Sequence, residues 1–165
     1  KYIQMKKIGI VLLLFMTTNL IAQNNFKDET EIIKLIQSNW EINNKGNIDV
    51  RLMSEDGYYA FNSTGGLMVY DKNPNIRKNE WDAVSLTAKH IKVVSLVPGE
   101  AAVAMYYSEG SMTPKGSAAV PHYMTRVTEV FIKEKGKWVM KTAHYSPISS
   151  GSGTSQVGPK SQDNK

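Results

Sequence analysis

The sequence predicts an α+β fold in which a twisted antiparallel sheet wraps one long N-terminal helix. Three observations carry that expectation. Apolar residues recur at helical spacing early in the chain, most clearly between Asp28 and Asn44. From His90 to Ser146 they fall in β-branched, alternating runs separated by short turns. Helices first and strands later is the order of an antiparallel sheet with its helices on one side. A sheet curled round a helix leaves space where the layers part, and pockets form there.

The elements follow in order. Asp28 can cap the helix, with Glu31 three residues on as in a capping box. Ile32, Ile33, Leu35, Ile36 and Trp40 form the apolar stripe, and Gly46 supplies a left-handed cap after Asn43-Asn44-Lys45. Asn47 to Met53 reads as a short second helix or a turn. Tyr58 to Asn62 is a strand, turned by Ser63-Thr64-Gly65-Gly66 into its partner Leu67 to Tyr70. Asn75 to Ala88 reads as a weaker helix centred on Trp81. His90 to Val97 is a strand ending at Pro98-Gly99, and Ala101 to Tyr107 is the next. Ser108 to Ala118 reads as a loop or irregular hairpin. Pro121 to Lys133 and Trp138 to Ser146 are the last two strands, joined at Lys135-Gly136.

Composition narrows the class. The chain has 165 residues, 41% hydrophobic and 21% charged, which suits one domain with a real core and excludes wholesale disorder. Zero cysteines exclude disulfides, thiolate zinc sites and a cysteine nucleophile. The three histidines, His90, His122 and His144, stand far apart without ligand spacing, so neither a metal nor a cofactor is expected.

Residues 1–23 read as a bacterial signal peptide with a few residues upstream of Met5. Lys6 and Lys7 precede an apolar run from Ile8 to Met16, and Ala22 is the small residue before the cleavage point. The apolar stretch is too short for a spanning helix, which needs about 20 residues. No cysteine follows it for a lipid anchor, so no stable membrane anchor is expected after cleavage. The expected organisation is therefore 1–23 signal peptide, 24–148 folded domain and 149–165 flexible Ser/Gly-rich tail, in a periplasmic or secreted bacterial protein. Removing residues 1–23 takes three lysines and no acid from a net charge of +5, which leaves +2 on 142 residues. No basic stripe remains for nucleic acid.

A general acid or base must be ionisable, in the pocket and shifted toward neutral pH. Strand parity divides the candidates on the last two strands. Arg126 shares a face with Thr128 and Val130, and Glu129 shares the other with Val127 and Phe131. His144 goes with Trp138 and Met140, and Tyr145 with Val139 and Lys141. A three-residue turn with a bulge would set Arg126 opposite His144 and Glu129 opposite Lys141. A two-residue turn would set Glu129 opposite Thr142. Both registers, and either face as the pocket face, are open to the residues alone. Trp40 on the helix stripe is core or pocket wall, and one of Tyr58 and Tyr59 must point inward.

The stretch Arg126-Val127-Thr128-Glu129-Val130-Phe131, then Gly136-Lys137-Trp138, then His144-Tyr145-Ser146 resembles the C-terminal hairpin of nuclear-transport-factor-2-like (NTF2-like) proteins, in particular the SnoaL-like and DUF4440 group. The association domain of calmodulin-dependent protein kinase II has a similar hairpin. The resemblance implies a cone with the sheet curved round the helix, frequent homodimers and a pocket inside the cone. Carried over residue by residue, it places Glu129, Tyr145 and Tyr107 on the pocket wall and Arg126 and His144 outward, on a dimer partner. Trp40 and Tyr59 complete the ligand-binding candidates, with Arg126 and His144 as alternatives should the opposite face line the cone. Glu129 and His144 are the candidate catalytic groups. The resemblance implies no reaction, since folds host many functions. A binder of a small apolar or aromatic molecule, an enzyme of isomerase or cyclase type and an oligomerisation scaffold all stay open.

The signal-peptide reading has a direct check. Intact-mass analysis of the protein from its native cell envelope is expected to give a chain starting at Gln23 or Asn24. A full-length cytoplasmic form overturns it.

Overall fold

Helix α1 (residues 26–44) opens the part of the chain that the computed structural model describes, which comprises residues 26–47, 52–72 and 81–148. The expected signal peptide, the tail, and residues 75–80 of the expected weak helix lie outside these residues. Ile32 and Ile36, one turn apart, are fully buried and define the face that α1 packs inward. Its C-terminus closes as expected at Gly46, where φ is +76°. Gly46 N donates to the Asn43 carbonyl and Asn47 N to that of Ile42, the paired bonds of a Schellman motif. Asp28 is not the N-cap, because the helix already runs through residue 26 and Thr30 Oγ1 bonds the Phe26 carbonyl.

Six strands follow: β1 (Tyr58–Phe61), β2 (Val69–Asp71), β3 (Trp81–Val97), β4 (Ala101–Pro114), β5 (Val120–Glu134) and β6 (Lys137–Pro147). They form one curved, unclosed sheet in the order β2-β1-β6-β5-β4-β3. All neighbours are antiparallel except β1 and β6, which run parallel with Ala60 beside Ala143. The buried Asp28 accepts a 2.7 Å hydrogen bond from Gly99 N, which ties the start of α1 to the β3–β4 turn. Ala102, Ala104 and Ala143 are buried on the inner face. Small side chains there keep the sheet surface low where α1 packs.

The expected helix centred on Trp81 is the first part of β3. Trp81, Val84 and Ala88 stand at i, i+3 and i+7, which imitates helical spacing. The three-residue step is a register slip between Trp81 and Ala83 against β4, and a second slip lies between Lys89 and Lys92, where His90 takes φ +56°. Bulges thus turned a strand period into an apparent helical one. The expected loop after Tyr107 is likewise strand to Pro114. Gly110 allows it: φ is +147°, and a Cβ there would stand 2.0 Å from the Ser85 carbonyl oxygen. A glycine inside a strand marks close backbone approach.

The β5–β6 hairpin corrects both expected registers. Lys135 and Gly136 have positive φ (+50° and +77°) and make a two-residue turn. Phe131 therefore pairs with Met140, but the register then slips by one residue and Val130 pairs with Thr142. Glu129 comes opposite Ala143, Thr128 opposite His144 and Arg126 opposite Ser146. The skipped residue is Lys141, whose Nζ donates to Ser54 Oγ at 3.0 Å, while Ser54 Oγ donates to Glu134 Oε1 at 2.6 Å. The slip reverses the parity of β6. Trp138 and Met140 face inward before it, Ala143 and Tyr145 after it.

Candidate functional site

A cavity of about 290 Å³ lies between the C-terminal half of α1 and the inner face of the sheet. Helix α1 contributes Asn39, Trp40 and Asn43. The β1 side contributes Met53, Tyr58 and the loop residues Asn62, Ser63 and Thr64. Strand β3 gives Trp81, Val84 and Leu86, β4 gives Met112 and Pro114, β5 gives Tyr123, and β6 gives Met140 and Tyr145. None of these side chains is charged. Aromatic and thioether side chains make up half of the lining residues, and amides and hydroxyls cluster on α1 and the Asn62–Thr64 loop. Asn44 fixes one side of the cavity: its amide donates to the Leu86 carbonyl and accepts from Leu86 N, both at 2.8 Å.

Behind two of the wall residues lies a buried carboxyl. Glu129 is 1% exposed. Tyr106 Oη donates to its Oε1 at 2.9 Å, and Tyr145 Oη donates to the same oxygen at 3.0 Å. Trp40 Nε1 donates in turn to Tyr106 Oη at 3.3 Å. Helix, β4, β5 and β6 thus meet at one acceptor. Burial pushes the Glu129 carboxyl up to about 7, and the two phenol donors pull it back only in part. No cation faces it among the described residues. Burial and the neighbouring carboxylate push the Tyr106 and Tyr145 phenols well above their ordinary range.

The structure separates the residues singled out in the sequence. Trp40 and Tyr145 line the cavity, and Glu129 lies outside its lining, bonded to Tyr145 and linked to Trp40 through Tyr106. Tyr107 points outward, 41% exposed, with the His90 ring against it edge-on, and Tyr106 takes the inward place instead. Tyr59 also points outward and stacks on Tyr70 at 4.5 Å, leaving Tyr58 inside. Arg126 lies on the outer face, bonded to Ser146 Oγ at 3.1 Å. His144 is on the same face, its ring against Phe61. The alternation of Ala102, Ala104 and Tyr106 carried the signal for Tyr106, since small residues mark the face beneath the helix. Asn39 and Asn43 escaped the sequence reading although they follow Ile32 and Ile36 on one helix face. Amides where an apolar stripe should continue point to a polar-rimmed space.

No family model matches this chain, and no curated protein matches it. Solved structures do, and they show that the chain has the NTF2-like fold. An NTF2-like protein of unknown function from Pseudomonas putida is 17% identical, covering 73% of this chain and 87% of its own, with a TM-score of 0.56. An NTF2-like family protein from Streptomyces avermitilis, proposed to be a dehydratase, is 14% identical over 74% of this chain and 96% of its own, with a TM-score of 0.57. The association domain of the Caenorhabditis elegans calmodulin-dependent kinase II is 19% identical over 71% of this chain and 93% of its own, with a TM-score of 0.50.

The buried carboxyl makes stability depend on pH. Its folded pKa, about 7, is above its ordinary 4.5, so its contribution is fully present below 4.5 and is lost as pH rises through 7. Between pH 4.5 and 8 the loss from this group should be on the order of 3 kcal/mol. Urea unfolding of Glu129→Gln across that range is expected to show this component gone, with the variant the more stable of the two at pH 8. Parallel pH profiles for both proteins would contradict it.

Proposed function

We propose that this chain is an exported module that binds a small neutral molecule with an aromatic or apolar body in the cavity beneath α1. One observation carries the reading: the cavity is walled by tryptophan, tyrosine and methionine and has no charged lining residue. Ligand pockets have this make-up, mostly apolar with a few placed polar groups. A volume near 290 Å³ suits a molecule of one or two rings. The basic run and apolar core of residues 6–22 support export. A binder is favoured over an isomerase-type enzyme because Glu129, the group nearest to a neutral-pH base, stands behind Trp40 and Tyr145. A general base must come within about 3 Å of the proton it takes, and here Tyr145 occupies that position.

A second reading, self-association through the outer face of the sheet, rests on its own observation. Val94, Val103 and Val130 form a cross-strand row on that face, with Met105 and Tyr107 beside it, and Val94, Met105 and Tyr107 are all more than 40% exposed. The C. elegans neighbour is an association domain. Closed dimers are the commonest soluble assembly.

Each reading has its measurement. Calorimetric titration with naphthalene-sized neutral aromatics is expected to give saturable, one-to-one binding, abolished by Val84→Trp, which fills the cavity. Absence of binding across such a series overturns the cavity reading. Sedimentation at micromolar concentration is expected to give a dimer, and Met105→Glu a monomer that remains folded. A monomeric unsubstituted chain removes the dimer.

A further inference from the structure

We propose that the cavity selects a molecule that presents a hydrogen-bond donor, a hydroxyl or N–H, to Tyr145, which reads it through its phenol oxygen as an acceptor. The inference rests on the cavity-binding reading above and narrows it from neutral aromatic molecules to those carrying a donor.

The direction of the hydrogen bonds carries the argument. A phenol has one proton, and that of Tyr145 is committed to Glu129 Oε1 at 3.0 Å. Among the described residues nothing donates to the Tyr145 oxygen, so its remaining capacity is as an acceptor. The adjoining donor is committed in the same sense: the Trp40 N–H goes to Tyr106 Oη, and the Tyr106 proton goes on to Glu129 Oε1. Every donor in this cluster therefore runs away from the cavity and ends on one carboxyl oxygen. Of the polar atoms of Trp40 and Tyr145, the one with hydrogen-bonding capacity left over is the Tyr145 phenol oxygen, as an acceptor.

The carboxyl keeps this direction fixed. In its ionised form it has no proton to return, so Tyr145 must donate to it. The groups that bear on it are Tyr106 from β4, Tyr145 from β6 and, through Tyr106, Trp40 from α1, with Tyr58 of β1 close to both phenols. None is a cation that could supply a competing donor. A hydrogen bond given to a carboxylate also makes the donor's own oxygen a stronger acceptor, since linked hydrogen bonds polarise one another. A ligand hydroxyl would extend the chain by one link. A ligand ether or carbonyl set against Tyr145 would oppose lone pair to lone pair and lose its hydration there without return. A carboxylate or phosphate ligand would meet no cation on the wall.

The test compares two molecules of one shape, 2-naphthol and 2-methoxynaphthalene, by calorimetric titration of the full chain at about pH 8, where Glu129 is ionised. One added neutral hydrogen bond predicts roughly tenfold tighter binding of 2-naphthol. Tyr145→Phe is expected to bring the two affinities together. Glu129→Gln provides a second variant should that one fail to fold: its amide can donate to Tyr145, which frees the phenol proton, and the preference for the hydroxyl should shrink toward unity. Equal affinities in the unsubstituted chain, or a preference that survives both substitutions, overturn the donor inference and leave the cavity reading standing. Failure of both molecules to bind overturns the cavity reading itself, and the inference with it.

Discussion

Everything in this molecule depends on bending a sheet of long strands round one helix. Strands of 17, 14, 15 and 11 residues cannot stay flat against α1 and still cover it. The bending is taken up at discrete points where the register slips: on β3 near Trp81 and Lys89–Lys92, on β4 at Gly110–Met112, and on β6 at Lys141. A bulge adds one residue to one strand and sharpens its local twist. Each of these strands also supplies cavity wall. Curvature and site composition are therefore set by the same residues. The slip at Lys141 is the clearest case, since without it Met140 and Tyr145 would lie on opposite faces of β6.

The second constraint is the carboxyl that the curved sheet encloses. An isolated buried charge is costly, and proteins usually pair one with a cation. Here the available lysine, Lys141, is turned away by its own bulge and serves Ser54. Glu129 has two phenols instead, and they compensate its burial only in part. The fold thus tolerates a destabilising group at the meeting point of α1, β4, β5 and β6. A core that needed only stability would place an apolar residue there. The arrangement makes sense as a fixed point that orients Trp40 and Tyr145 on the wall.

The sequence made much of this legible. Helix α1, its Gly46 cap, the β1–β2 hairpin and the four-strand run could be read from period and turn chemistry, because those signals are local. The face that Glu129 shares with Val127 and Phe131 could be read as well, since β5 alternates without interruption from Thr125 to Phe131, but that this face points inward followed only from the resemblance and not from the period. What escaped reading was everything downstream of a bulge. Trp81 looked helical because a slip imitates a three-residue step. Ser108 to Ala118 looked like a loop because Gly110, needed for close approach to Ser85, is also a turn residue. Tyr106 and Tyr107 were exchanged, as were Tyr58 and Tyr59, because neighbouring tyrosines give no parity of their own. The parallel contact of β1 with β6 joins residues more than 80 positions apart, and no local pattern encodes it.

The unclosed sheet has a consequence for how copies of this chain can meet. Among the described residues its edges are the short β2 and the long β3, and a long edge strand is of the kind that recruits identical strands into ribbons and fibres. That edge is discontinuous. His90 sits at positive φ in its middle, flanked by Lys89 and Lys92, and the ladder beside it slips three times. A second β3 laid alongside would find its amides out of step after a few residues. Open-ended strand addition is thereby frustrated along the longer border of the sheet, the one beside which the cavity stays open.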